Sequence, residues 1–258
     1  MPRFSANLSF LFQEHQFLDR FEAAARAGFK AVEYISPYDH PPEEIARRLK
    51  DNGLIQALFN LPLGDFEGGE RGLAGLPGRE DEFRRSVERA AHYAKALACP
   101  KVNCLAGIPL LGTSRELALA TLIVNLRFAA EQLGREGILL LLEPINRFDM
   151  PGYLVNRSNE AIAVLDSVKH PNLKLQYDIY HMQRMEGEVA ATLKRLMPRI
   201  GHIQIADNPG RHEPGTGELN FPFLLAEVDR LRYDGWVGCE YAPKAGTEEG
   251  LAWMKDYE

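Results

Sequence analysis

The chain has 258 residues, with 36 acidic and 30 basic side chains, a formal charge of −6, 45% apolar residues and 26% charged ones. That balance suits a globular protein with a sizeable core and lacks the basic stripe of a nucleic-acid binder. No run approaches the ~20 apolar residues that a membrane span needs. The opening MPRFSANLSF lacks the apolar stretch of a signal peptide. Cys99, Cys104 and Cys239 form no CxxC pair and read as buried thiols of a reducing compartment, so a cytoplasmic protein is expected.

Short β-like runs alternate with longer helical ones. RFSANLS (3–9) is the first expected strand, followed by a helix over 17–28 that ends on a glycine, as a C-cap would. AVEYI (31–35) precedes a helix over 41–53 that opens on prolines and acids. IQALFNL (55–61) leads into an irregular stretch over 62–78, long for a βα connection and therefore a candidate functional loop. A helix over 79–97, a strand over 101–107 and a long amphipathic helix over 114–137 follow. ILLLLEP (138–144) is apolar on both faces, which fits a parallel strand covered on both sides. Helices over 158–168, 186–199, 221–235 and 247–258 alternate with strands over 172–178, 200–207 and 236–241. Eight strands alternating with eight helices, no linker and no GxGxxG after the first strand favour one (β/α)8 TIM barrel domain over 1–258 rather than an open doubly wound sheet.

In such a barrel the C-terminal ends of the strands form the active face. Strand five ends in Glu143, strand six in Asp178, strand seven contains Gln204 with Asp207 just after it, and strand eight ends in Glu240. Successive positions lie about one βα unit apart, so all share one rim. Three carboxylates and an amide would repel one another unless a cation sat between them. All-oxygen donors suit a hard divalent ion, Mg²⁺ or Mn²⁺, better than zinc. Asp207 also reads as a helix N-cap.

His181, in the loop after strand six, is expected to point a ring N–H at a substrate oxygen or to support a ligand. His202 lies two residues before Gln204 and so faces the same way, one layer deeper, as a core histidine bonded to a neighbour. Arg71, Arg147 and Arg211 follow strands three, five and seven; a guanidinium can grip a carboxylate with two parallel hydrogen bonds. Asn7 and Asn60 end strands one and three and are placed on the floor of the site. Phe59, Phe66 and Trp236, expected near the rim, serve either the core or a homo-oligomer interface.

The segments RFSANLS, FNLPLGD with GERG, VNCL, EPIN, QYDIYHMQRMEG, GHIQIADNP with EPGTGE, and GWVGCEY closely resemble the hydroxypyruvate isomerase family over essentially the whole chain. That family belongs to the xylose-isomerase-like barrels, with the ketose 3-epimerases and endonuclease IV. The resemblance implies interconversion of hydroxypyruvate and tartronate semialdehyde, or of a four-carbon 2-oxo-tetronate. It implies Glu143 and Glu240 as the proton-transferring pair, and Glu143, Asp178, Gln204 and Glu240 as metal ligands, Gln204 standing where the related epimerases have a histidine. A substrate carboxylate is assigned to Arg71 or Arg211, and a small hydroxy-keto acid, rather than nucleic acid or membrane, is the expected partner. The rival readings are a ketose 3-epimerase, an abasic-site endonuclease and a non-catalytic sugar-acid binder.

Overall fold

A computed structural model describes residues 1–257. Eight parallel strands close in sequence order into a barrel, each paired with its neighbours and β8 with β1. They are β1 (Arg3–Asn7), β2 (Ala31–Tyr34), β3 (Ile55–Asn60), β4 (Lys101–Cys104), β5 (Leu139–Leu142), β6 (Leu173–Asp178), β7 (Ile200–Ile205) and β8 (Trp236–Cys239). Most stop short of the expected ends. Glu143 and Glu240 are therefore the first residues past β5 and β8, while Asp178 and Gln204 lie within β6 and β7, paired with each other in register.

The outer layer holds α1 (Arg20–Arg26), α2 (Pro42–Asp51), α3 (Glu80–Ala96), α4 (Arg115–Arg135), α5 (Ser158–Val168), α6 (Ile179–Met185), α7 (Val189–Leu196) and α8 (Phe221–Arg230). Helix α4 is long and apolar enough, by length and composition alone, to cross a membrane. Its apolar residues have a simpler use: Leu122, Leu126, Ala129 and Leu133 are fully buried in the layer between barrel and neighbouring helices. Its start is capped by Ser114, whose side chain accepts from the Leu117 N–H.

Three expectations need correction. The segment after β6 is not a loop but the short helix α6, because Asp178 caps it by accepting from the Tyr180 and His181 N–H groups. The expected helix over 186–199 is accordingly the second of two in that unit. The expected C-terminal helix is a 3-10 segment, Glu249–Tyr257, and position 258 lies outside the described residues. Trp236 opens β8 and so sits at the end of the barrel opposite the rim, its ring stacked under Arg3. Phe59 is core, and Phe66 stands 47% exposed on the loop after β3. Cys99, Cys104 and Cys239 are buried and unpaired.

Candidate active site

Glu143, Asp178, His181 and Glu240 converge at the rim, each offering one ligand-type atom within 4.8 Å of the others. All four side chains are buried. Asp178 divides its labour: Oδ1 caps α6, while Oδ2 is buried with no hydrogen-bond partner among the described residues. An orphaned buried carboxylate oxygen facing two more buried carboxylates is the arrangement a bound cation would satisfy. This group can hold a divalent metal.

The two glutamates are held by amides. Asn103, at the end of β4, donates to Glu143 Oε2 at 2.8 Å, and Asn7 donates to Glu240 Oε1 at 3.3 Å. Burial, reinforced by the nearby Asp178 charge, pushes Glu143 up to about 8 against the opposing pull of Arg211 and the Asn103 hydrogen bond. Burial likewise drives Glu240 well above the ordinary carboxylate range, with Arg211 opposing and Glu143 adding. Two acids this close raise each other and resist ionising together.

His181 is neutral: burial takes its imidazole down to about 4, despite the attraction of Asp178. Asn146, in the EPIN segment, decides which ring nitrogen carries the proton. Its Oδ1 accepts from the Phe148 and Asp149 N–H groups at 3.0 and 2.9 Å, which fixes the amide and leaves Nδ2 to donate to His181 Nδ1 at 2.7 Å. The proton therefore sits on Nε2, which lies 3.6 Å from Asp178 Oδ2 and 3.8 Å from Glu143 Oε1. A protonated Nε2 donates into the site and does not ligate, which leaves the carboxylate oxygens as the atoms of this group that could hold a cation.

Below the rim lies a second polar cluster that composition and spacing did not reveal. Glu33 on β2, fully buried, accepts from Ser5 at 2.7 Å, from Gln204 Nε2 at 2.8 Å and from Asn7 at 3.3 Å, and bonds His202 Nε2 at 2.9 Å. The only hint was a charged residue inside the apolar run AVEYI. The carboxylate fits because Gly238 is opposite: a Cβ there would come within 2.2 Å of Glu33 Oε1. His202 is thus a core histidine with a bonded neighbour. Gln204 is pinned from both sides, its Nε2 on Glu33 and its Oε1 accepting from Gln176 at 2.7 Å, which orients the amide and leaves the oxygen one further lone pair.

The loops complete the site. Asp207 is an organiser and not a ligand: its two oxygens accept from the N–H groups of Asn208, Gly215, Gly217 and Leu219 and hold the loop after β7. That loop presents Arg211, whose guanidinium lies over Phe10 and Tyr180 and donates to Glu240 Oε2 at 3.1 Å. Arg211, Arg71, Asn60 and Phe66 line a cavity of about 200 Å³ over Glu143, His181 and Glu240. Arg147 is exposed beside Phe148 and takes no part in that lining.

The sequence matches the family described as xylose isomerase-like TIM barrel over residues 21–257. This chain belongs to the xylose isomerase-like TIM barrel family. Among its members, the hydroxypyruvate isomerase of Escherichia coli K12 is 54% identical over 257 residues, covering all of both chains. The 2-oxo-tetronate isomerase of Cupriavidus necator is 52% identical, covering 100% of this chain and 99% of its own. A crystal structure named AP endonuclease, family 2, from Brucella melitensis superimposes with a TM-score of 0.98 at 46% identity over the full length of both chains. The 3-keto-D-glucoside 4-epimerase of E. coli shares the barrel at a TM-score of 0.81, 22% identity and 99% coverage of each chain. With full-length isomerases as its curated relatives, this xylose isomerase-like barrel is an enzyme of isomerase type.

Proposed function

We propose that the protein interconverts hydroxypyruvate and 2-hydroxy-3-oxopropanoate (tartronate semialdehyde), with a four-carbon 2-oxo-tetronate as the alternative substrate. The observation that carries this reading is the pair of buried carboxylates, Glu143 and Glu240, both raised above the ordinary carboxylate range, at the base of a cavity lined by two arginines. The cavity lies directly over these carboxylates, and Arg71 and Arg211 line it, which suits a small anionic substrate.

The reaction moves one proton between adjacent carbons through an enediol. Glu143 and Glu240 take these two steps: the ionised member of the pair removes the proton from C3 of hydroxypyruvate, the hydroxyl proton passes from O3 to O2 so that C3 becomes the aldehyde, and a carboxyl proton is returned at C2. In the reverse direction the two roles exchange. The neutral His181 aims its Nε2–H at a substrate oxygen and steadies the negative charge that develops there. Glu143, Asp178, Glu240 and the remaining lone pair of Gln204 would hold a divalent cation, Mg²⁺ or Mn²⁺ by the hardness of the oxygen donors. When bound, that ion supplies Lewis acidity toward the carbonyl and hydroxyl oxygens. Arg211 and Arg71 are the substrate-facing cations. The buried, unpaired cysteines fit the reducing, cytoplasmic setting expected for a small-acid enzyme.

A nuclease reading, prompted by the name of the Brucella melitensis structure, has weaker support. Among the described residues a single acid and histidine group gathers at the rim, and the chain's net charge is −6. The deciding experiment is proton NMR in heavy water, with Mg²⁺ or Mn²⁺, on hydroxypyruvate, 2-oxo-tetronate and a six-carbon ketose in parallel. Interconversion with deuterium incorporation is expected for the short acids. Absence of both for either acid overturns the proposal, and turnover of the ketose alone replaces it with epimerase chemistry.

A further inference from the structure

Two arginines line the cavity, and their surroundings differ. Arg211 is already engaged by acidic side chains, with Nη2 donating to Glu240 at 3.1 Å and Nη1 3.9 Å from Asp149. Arg71 has no carboxylate partner among the described residues. The obvious counter-ion, its chain neighbour Glu70, is taken: it pairs with Arg79 and accepts from the Asp65 N–H at 2.6 Å. Arg71 is nonetheless held in place. Its Nη1 donates to the carbonyls of Phe66 and Glu70 at 2.9 and 2.7 Å, and its guanidinium lies 4.0 Å from the centre of the Phe66 ring. The backbone beside it is fixed as well. Gly72 has φ of +114°, donates to the Leu63 carbonyl at 3.0 Å, and passes so near the chain after β4 that a Cβ would come within 2.4 Å of the Leu105 oxygen. The loop after β3 thus presents a prepositioned cation whose Nη2 and Nε are uncommitted.

We infer that Arg71, and not Arg211, binds the substrate carboxylate, and that it is the residue that selects short hydroxy-keto acids over neutral sugars. This rests on the isomerase reading for the identity of the acid, but the selectivity is measurable without turnover. An unmatched guanidinium beside a cavity lined by carboxylates is completed by a ligand that brings one negative charge, and its two free donors form the fork a carboxylate accepts. Arg211, held by Glu240, is left to face the reacting oxygens.

The test is calorimetric binding of D-glycerate, an unreactive relative of the substrate, against glyceramide, the same molecule with a neutral amide in place of the carboxylate. The wild-type enzyme is expected to prefer glycerate by roughly 100-fold, the scale of one well-formed charge pair. Arg71→Gln should abolish that preference, Arg71→Lys should retain part of it, and Arg211→Gln should leave it in place. A wild-type preference that survives in R71Q, or that vanishes in R211Q instead, overturns the assignment, as does a wild-type enzyme indifferent to the two ligands. R71Q losing both ligands equally would mean a structural role and overturns it too. Failure of the NMR assay with this preference intact would remove the isomerase reading and keep the carboxylate site.

Discussion

Two glutamates, Glu33 on β2 and Glu143 after β5, are buried to a similar degree, 0% and 4% exposed, inside the same barrel. Their surroundings push them in opposite directions. Burial alone would raise Glu33, but His202, Gln204 and Ser5 outweigh it and hold the carboxyl below its usual range. Glu143 has one amide donor and a carboxylate neighbour, and it rises to about 8. The deeper acid is satisfied and scaffolds the strands. The upper one is left short of partners, which is the condition of a group that trades protons.

The sharpest way to break this contrast is to neutralise each acid. Glu143→Gln and Glu240→Gln are each expected to lower kcat by about 10³ to 10⁴-fold while the protein unfolds at the same temperature or higher, since each removes a charge that burial opposes. Near-normal kcat in either variant would end the two-carboxylate mechanism. Glu33→Gln should act the other way. It places an amide N–H among donors that need an acceptor, so urea unfolding should show a loss of about 3 kcal/mol. An unchanged midpoint would mean Glu33 is no scaffold.

Asn146→Ala tests the link between the site and its support. It frees His181 to take either tautomer, and a fall in kcat of roughly tenfold is expected, the lower end for a residue that orients a functional histidine. Nitrogen NMR of the imidazole would show the proton no longer confined to Nε2, and a single unchanged tautomer would contradict the role given to Asn146.

The smallest effect is a pH trend in the metal-free protein. Glu143 has a raised folded-state value, so its cost is absent below the ordinary carboxylate range and grows as pH rises toward about 8. Glu33, lowered, adds stability above that range and loses it as pH falls through its folded value. The melting temperature should therefore drop by about 5 °C between pH 5 and 8, and E143Q should lessen that slope, the raised Glu240 keeping the rest. Mg²⁺ or Mn²⁺ should restore most of the loss at pH 8. A flat wild-type profile would place Glu143 with Glu33 as a satisfied core acid.

The rim acids were readable in the chain because parallel strands buried on both faces run apolar until they end, so a carboxylate at each end stands out. Glu33 was not, since one acid in the four residues of β2 carries no periodic signal. Asn103 and Asn146 look like ordinary loop and strand-end amides until their partners are known. Asp207, read as a helix cap, instead holds a loop, with four main-chain donors on its two oxygens.

Order along the chain was enough to establish the eight repeated units, their closure into one barrel, and which strand ends bring oxygen atoms to a common face, because those follow from local periodicity and the handed connection of parallel strands. Folding in three dimensions settled what local pattern cannot carry: which acid has a partner and which does not, which ring nitrogen of His181 holds its proton, and which of two arginines is already engaged by acidic side chains. Each depends on groups brought within about 3 Å from distant parts of the chain, and hydrogen bonds and charges act over just such distances.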